Sequence, residues 1–107
     1  MAEQSPSDPH AQALAPLRAQ IDELDRQIVE LLNQRAGIVV QVGKIKQQNK
    51  TPIYQPDREK EVLENAERNN RGPLTDAAIR RLFERIIDEA RAAERSAMHQ
   101  DGAKKDS

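Results

Sequence analysis

A row of mainly apolar residues at heptad spacing constrains the fold of this chain more than any other feature. The row runs at alternating intervals of three and four through Leu14, Leu17, Ile21, Leu24, Ile28, Leu31, Arg35, Ile38, Val42 and Ile45. This spacing is typical of a coiled-coil seam, the stripe that one helix presents to another. It predicts a continuous helix, with Pro16 near its start, that ends near Gln48, because Asn49, Thr51 and Pro52 follow.

Two shorter helices are expected after the long one. A loop over residues 50–55 precedes the second helix, in which Pro56 suits the first position, and residues 69–73 (NNRGP) end it. The third helix begins at a capping residue, Thr75 or Asp76. It carries the apolar stripe Ile79, Leu82, Phe83, Ile86, Ile87, Ala90 and Ala97. No segment alternates apolar and polar residues as a strand would, so the predicted class is all-α.

Several charged residues occupy positions where this periodicity places apolar side chains. Arg35 is the one charge in the seam, and Lys46, eleven residues later, lies about three turns further along nearly the same face. Glu94 interrupts the third stripe, while Arg58 and Glu59 open the second helix. These residues are candidates for a polar site. The alternative is that Arg35 and Glu94 pair inside a helical bundle and set its register, with the other charges in solvent.

The composition limits the class of protein. Of 107 residues, 36% are hydrophobic and only 2% are aromatic, which leaves little material for a monomeric core. The net charge of -1 disfavours nucleic-acid binding. The sequence has no cysteine, and His10 and His99 are not clustered with carboxylates as metal ligands would be. No stretch resembles a signal peptide or a membrane span, so a cytoplasmic protein without a metal site is expected.

The predicted architecture is a three-helix protomer, one long helix and two shorter ones, in an intertwined helical homodimer. The long helix would extend roughly 50 Å. The shorter helices cannot cover its seam, so a second copy of the chain is the simplest partner. A disordered N-terminal tail is expected over residues 1–13, the folded domain over 14–95, and a flexible C-terminal tail over 96–107, because both ends are polar.

Five short motifs, in order, resemble those of the AroQ-type chorismate mutases. They are PLRAQIDELD at residues 16–25, LLNQR at 31–35, VGKIK at 42–46, PIYQPDRE at 52–59 and RLFERII at 81–87. In addition, YQP at 54–56 and GPL at 72–74 are similar to the mutase domain of bacterial bifunctional chorismate mutase–prephenate dehydratases. The resemblance implies a cofactor-free [3,3] rearrangement of chorismate to prephenate in the biosynthesis of aromatic amino acids.

The resemblance also implies which residues bind the substrate. Arg35, together with Arg18 supplied by the other chain of the homodimer, would bind the two carboxylates of chorismate, with Arg58 in a supporting role. Glu59 would accept a hydrogen bond from the ring hydroxyl. Gln55 stands where some relatives have an acidic residue whose backbone contacts the substrate.

The same resemblance implies a catalytic set of Lys46, Glu94 and Arg35. Lys46 and Glu94 match the positions that stabilise the ether oxygen as its bond breaks. Many relatives carry glutamine at the position of Glu94, and glutamine donates a hydrogen bond at any pH. A glutamate donates only when it is protonated, which burial favours. Ala90 is a smaller departure, because some relatives have a serine there that donates to a carboxylate.

Two other functions stay open from the sequence. Isochorismate–pyruvate lyases share the scaffold, although they resemble this sequence less at Arg58 and Glu59. A non-catalytic helical dimerisation module would leave Arg35, Lys46 and Glu94 as purely structural charges.

Overall fold

The described part of the chain is all-helical. The computed structural model describes residues 8–52 and 54–106, with side chains up to residue 99 at the C-terminal end. Three helices follow one another, α1 at Pro9–Gln48, α2 at Pro56–Arg68 and α3 at Asp76–Asp106, and none of the described residues forms a strand. The predicted all-α class with one long and two shorter helices is therefore confirmed.

The helices extend beyond the predicted limits of the folded domain. Helix α1 begins at Pro9 rather than near residue 14, so Pro16 lies inside the helix instead of at its start. Because proline has no backbone N–H, α1 lacks one intrahelical hydrogen bond there. Helix α3 continues to Asp106. The boundaries at residues 13 and 95 stay predictions, and so does the nature of the two tails; residues 1–7 lie outside the described part of the chain.

The chain divides into two compact units, Met1–Asn33 and Gln34–Ser107. In the first unit, the seam residues of α1 are exposed. Leu17, Ile21, Leu24, Ile28 and Leu31 are between 51% and 61% exposed. Apolar side chains in a seam gain stability only when a partner helix removes them from water, and this part of α1 presents an exposed apolar face.

The second unit contains the end of α1, together with α2 and α3, which pack against each other. Leu63 of α2 and Ala90 of α3 are buried, at 8% and 6% exposed. An ion pair between Arg80 Nη1 and Glu67 Oε2, at 2.9 Å, also joins the two helices. This small core holds the first turn of α2 and the middle of α3 in place.

Local hydrogen bonds set where α2 and α3 begin. The backbone N–H groups of Arg58 and Glu59 both donate to the carbonyl of Gln55, at 3.1 Å, and Pro56 occupies the first turn. These bonds place both charged residues in the first turn of α2. At the start of α3, the Ala78 N–H donates to Thr75 Oγ1 at 3.1 Å. Of the two predicted caps, Thr75 is therefore the residue that caps the helix.

The loop between α2 and α3 is organised by one asparagine. Asn70 Nδ2 donates to the carbonyl of Leu74 and to Asp76 Oδ1, both at 2.8 Å, while Asn70 Oδ1 accepts from the Gly72 N–H at 3.1 Å. Gly72 has a φ of 73°, in the left-handed region that favours glycine. Residues 69–73, predicted to end α2, thus form a turn that the hydrogen bonds of the Asn70 side chain stabilise.

Candidate active site

A cavity of about 280 Å³ lies in the second unit, between the end of α1, the start of α2 and the middle of α3. Its polar lining residues are Arg35, Lys46, Gln55, Arg58, Glu59, Arg91 and Glu94. Its apolar wall consists of Ile38, Val39, Val42, Val62, Ile87 and Ala90. An apolar wall with a few convergent polar groups is the usual form of a small-molecule site.

The cavity brings together six of the seven residues that the sequence proposed for the site, all except Arg18. Arg35 and Lys46 come from α1, Gln55 immediately precedes α2, and Glu94 comes from α3. Arg58 and Glu59 come from the first turn of α2. Arg18 belongs to the first unit and is not among the residues that line the cavity. The role of each residue stays a prediction.

Helical spacing explains why the α1 residues share one side of the cavity. Arg35, Ile38, Val42 and Lys46 are separated by three, four and four positions, and side chains at these intervals lie on one face of a helix. Two cations therefore flank two apolar residues along a single stripe. The seam periodicity that predicted a helix also sets this arrangement.

Arg35 is a half-buried cation without an anionic partner. Among the described residues it makes no hydrogen bond or ion pair, although Glu59 and Glu94 line the same cavity. Burial, together with the Arg58 guanidinium nearby, lowers the pKa of Arg35 from its usual value. Removing a guanidinium from water without a counter-charge is unfavourable. An anion bound in the cavity would compensate for this cost.

Arg58 makes one exposed contact that a ligand can displace. Its Nη1 donates to Glu61 Oε1 at 2.7 Å, and the two side chains are 63% and 61% exposed. Exposed ion pairs of this kind contribute little to stability. The cost of redirecting Arg58 towards a carboxylate in the cavity is therefore small.

Glu94 is the most deeply buried charged residue in the described part of the chain, at 4% exposed. Its Oε2 atom is buried and has no hydrogen-bond partner among the described residues. Glu94 forms no ion pair with Arg35, so the arrangement does not match the alternative in which these two residues pair inside a bundle. A buried, unpartnered carboxyl group is costly for a folded protein unless a ligand uses it.

Gly43 of α1 makes room for this carboxyl group. A Cβ atom added at Gly43 would lie 2.5 Å from Glu94 Cγ and 2.8 Å from Cδ, and would also collide with Oε2. Only a residue without a side chain allows Glu94 to lie so close to α1. A glycine lowers the stability of a helix interior, and here it lets the carboxyl group approach.

Arg91 is a site residue that the sequence analysis missed. Its Nη2 forms an ion pair with Glu59 Oε2, and its guanidinium carbon lies 5.5 Å from the centre of the Tyr54 ring. A signal was available, because residue 91 is four positions after Ile87 and three before Glu94, on the same apolar stripe. Arg91 was not predicted, because Ala90 continues the apolar stripe and the arginine next to it then resembles a surface residue.

The charges of the cavity favour a ligand with more than one negative charge. Four cations, Arg35, Lys46, Arg58 and Arg91, line it against two carboxyl groups, Glu59 and Glu94. With both carboxyl groups ionised, the lining residues carry a net charge of two positive units. Forked guanidinium donors suit carboxylates in particular.

Neither a metal site nor a membrane span is found in the part of the chain that the structure describes. Its histidine, aspartate and glutamate residues form no group of three or more that is placed to hold a metal ion. None of its helices is both long and apolar enough to cross a membrane.

Comparison with known protein families identifies close relatives. The family model of chorismate mutase type II matches residues 17–95. The chain is 39% identical over 82 residues to a bifunctional chorismate mutase/prephenate dehydratase of Neisseria gonorrhoeae, and 36% identical over 78 residues to one of Aquifex aeolicus. These matches cover 77% and 69% of this chain, but only 22% of each relative. The chain thus spans about a fifth of the length of these curated relatives.

Two solved structures share the fold. A chorismate mutase of Thermus thermophilus is 32% identical with a TM-score of 0.76, over 78% of this chain and 94% of that one. A chorismate mutase of Helicobacter pylori in complex with prephenate is 30% identical with a TM-score of 0.76, over 82% of this chain and 96% of that one.

Proposed function

The chain belongs to the chorismate mutase type II family, and we propose that it catalyses the [3,3] rearrangement of chorismate to prephenate without a cofactor. The observation that carries this proposal is the half-buried Arg35, which has no anionic partner among the described residues and lies in a cavity with excess positive charge. Chorismate carries two carboxylates, which match the excess positive charge of the cavity. The match over residues 17–95 and the likeness to a prephenate-bound relative support the same assignment.

The first task of such a site is to hold the substrate in its reactive shape. The reaction is unimolecular, with no proton to remove and no nucleophile, so much of the catalysis comes from selecting the compact chair-like conformer. We assign the carboxylates of chorismate to Arg35 and Arg58 and the ring hydroxyl to Glu59. Gln55 contacts the substrate through its backbone, and the apolar wall excludes water from the ring.

The second task is to stabilise charge on the ether oxygen as its bond breaks. We assign this role to Lys46 and to Glu94 in its protonated form, as hydrogen-bond donors aimed at that oxygen. The buried and unpartnered Oε2 of Glu94 supports this assignment, because a proton there would find its acceptor in the substrate. Such fixed donors are worth more in a cavity that excludes water than in solution.

The decisive experiment follows the loss of chorismate absorbance with purified protein and identifies the product. Prephenate as the product would support the proposal. Pyruvate and salicylate formed from isochorismate, with chorismate left unchanged, would indicate the lyase alternative instead. Turnover of neither compound from mildly acidic to neutral pH would favour the non-catalytic dimerisation module.

Glu94→Gln is expected to remove much of the pH dependence of the reaction. A glutamate donates a hydrogen bond only while its carboxyl group carries a proton. The wild-type kcat/KM should therefore fall as pH rises and Glu94 loses its proton. Glutamine donates at any pH, so the variant should give a flatter profile. Identical profiles for the two proteins would contradict a catalytic proton on Glu94.

We also propose that the active form is an intertwined homodimer in which Arg18 of one chain completes the site of the other. The exposed seam residues of the first unit support this, since a partner helix would remove them from water. In the second unit, Ile38, Val42 and Ile45 are likewise between 42% and 60% exposed. The cytoplasmic location predicted from the sequence stays a prediction.

Mixing two inactive variants tests the shared site directly. Arg18→Ala and Arg35→Ala should each abolish most activity, but a mixed dimer would carry both defects in one site and leave the other site intact. After co-refolding of equal amounts, about a quarter of the wild-type activity per chain is expected for random pairing in a twofold-symmetric dimer. Activity no higher than that of the separate variants would show that both arginines come from one chain, or that no dimer forms. Light scattering on the wild type separates these two cases.

A further inference from the structure

Arg91 lines the cavity, but none of the roles assigned above accounts for it. Its side chain is only 23% exposed, and that of its partner Glu59 is 29% exposed. The ion pair links the middle of α3 to the first turn of α2. The guanidinium is therefore held at Glu59 by charge.

Two further contacts hold the Arg91 guanidinium in place. Asp88, one turn earlier on α3, lies 3.6 Å from Nη1. The Tyr54 ring, just before α2, lies 5.5 Å from the guanidinium carbon, a distance at which the ring face attracts a cation. Arg91 is thus fixed between an acidic side chain and an aromatic ring, with its inner end on Glu59. A side chain ordered in this way has lost rotamer freedom that a surface arginine keeps.

We propose that Arg91 is a positioning residue that keeps Glu59 ionised and fixes its carboxylate by holding Oε2, so that Oε1 accepts the ring hydroxyl of the substrate. This inference rests on the proposed function. Of the two carboxyl groups in the cavity, the one in direct contact with a cation is the one whose ionised form is favoured more strongly. Arg91 is the cation that forms an ion pair with Glu59. Arg91 therefore gives the two carboxyl groups different roles. Glu59 is ionised and accepts a hydrogen bond, while Glu94 is protonated and donates one.

The test compares Arg91→Met with the matched control Arg85→Met. Arg85 lies on the same helix, is 75% exposed, and pairs with Glu89 one turn away, outside the cavity. Arg91→Met is expected to lower kcat/KM for chorismate by about 10- to 100-fold, the range for loss of a charge-assisted contact. Arg85→Met should leave kcat/KM unchanged. Equal activity of wild type and Arg91→Met would overturn the proposal.

A double-mutant cycle shows whether Arg91 acts through Glu59. If it does, Arg91→Met should cost little further activity once Glu59 has been replaced in Glu59→Gln. Full additivity of the two losses would overturn the positioning role, because it would mean that Arg91 contacts the substrate independently or merely supports the fold.

The pH profile provides a readout that a structural role would not move. Without its cation, Glu59 takes up a proton more readily, so the acidic limb of kcat/KM should move to higher pH in Arg91→Met. The other charged groups that face the cavity remain unchanged in this comparison: Arg35 and Lys46 of α1, Arg58 of α2 and Glu94 of α3. An acidic limb that does not move would overturn the proposal.

Arg91→Lys keeps the proposal testable if the methionine variant does not fold. Lysine retains the positive charge but not the forked guanidinium donors. The lysine variant should therefore keep the acidic limb of the wild-type kcat/KM profile and most of the activity. A limb that shifts in a folded lysine variant would contradict the charge role. Failure of the proposed function is distinguishable, because in that case the wild-type protein itself would not convert chorismate.

Discussion

Replacing Arg35 with alanine is expected to lower kcat/KM for chorismate by at least about 100-fold, because losing one partner of a buried charge pair costs several kcal/mol. Arg35 lies half-buried in the cavity and has no anionic partner among the described residues, so its charge is available to the substrate. The measurement is initial-rate chorismate consumption over a range of substrate concentrations. Arg35→Lys should recover only part of the loss, since lysine cannot bind a carboxylate bidentately.

A matched control and a stability measurement make this result interpretable. Arg26→Ala removes an arginine from the same helix, where it is 60% exposed and pairs with Glu23 and Glu30. It should retain full activity. The Tm of Arg35→Ala should not fall, because the truncation removes an unpaired, partly desolvated cation. A lower Tm with normal kinetics would instead identify Arg35 as a structural charge.

Gly43→Ala is expected to lower kcat by about 100-fold while leaving the fold intact, because displacing a catalytic group by about 1 Å can cost that much. The added methyl group would collide with the Glu94 carboxyl group. Glu94 can rotate away from this collision, so the structure survives, but its donor no longer meets the ether oxygen. The measurement is steady-state kinetics together with thermal unfolding.

Gly37→Ala is the natural control for this prediction. Gly37 lies on the same helix, and an added Cβ there would have nothing within 4 Å. Both substitutions remove a helix-interior glycine, which should stabilise an exposed helix by about 1 kcal/mol. Gly37→Ala should therefore raise Tm without loss of activity. Equal activity of the two variants would show that Glu94 does not need its close approach to α1.

A second comparison tests whether the loss of kcat in Gly43→Ala arises through Glu94. In a Glu94→Ala background the methyl group of Gly43→Ala has no carboxyl group to displace, so the further loss should be small. A further loss as large as in the wild type would place the damage elsewhere in α1.

Much of the fold could be predicted from the sequence because the helices carry their own signals. The seam of α1, Pro56 at the start of α2 and the Thr75 cap of α3 each act over a few neighbouring residues. The start of α1 was not predicted correctly, since the polar residues before Leu14 carry no apolar periodicity and yet continue the helix to Pro9. Local polarity does not distinguish a solvated helix from a tail.

The candidate site was predictable only in part. Motif resemblance pointed to Arg35, Lys46, Gln55, Arg58, Glu59 and Glu94, all of which line the cavity. Arg91 was missed, because none of the motifs includes position 91 and the adjacent Ala90 was taken as the residue that continues the apolar stripe. Its importance depends on Glu59, a residue distant along the chain, and on the ion pair formed when α2 and α3 pack.

The sequence by itself determined the helices and the face on which each charge lies, because helical periodicity acts between residues three and four positions apart. Only the tertiary structure decided which charges meet. Glu94 lies against Gly43 and without an ion pair to Arg35, while Glu59 is held by Arg91. The physical reason is that spacing along one helix defines a direction, whereas distances between helices follow from how their side chains pack.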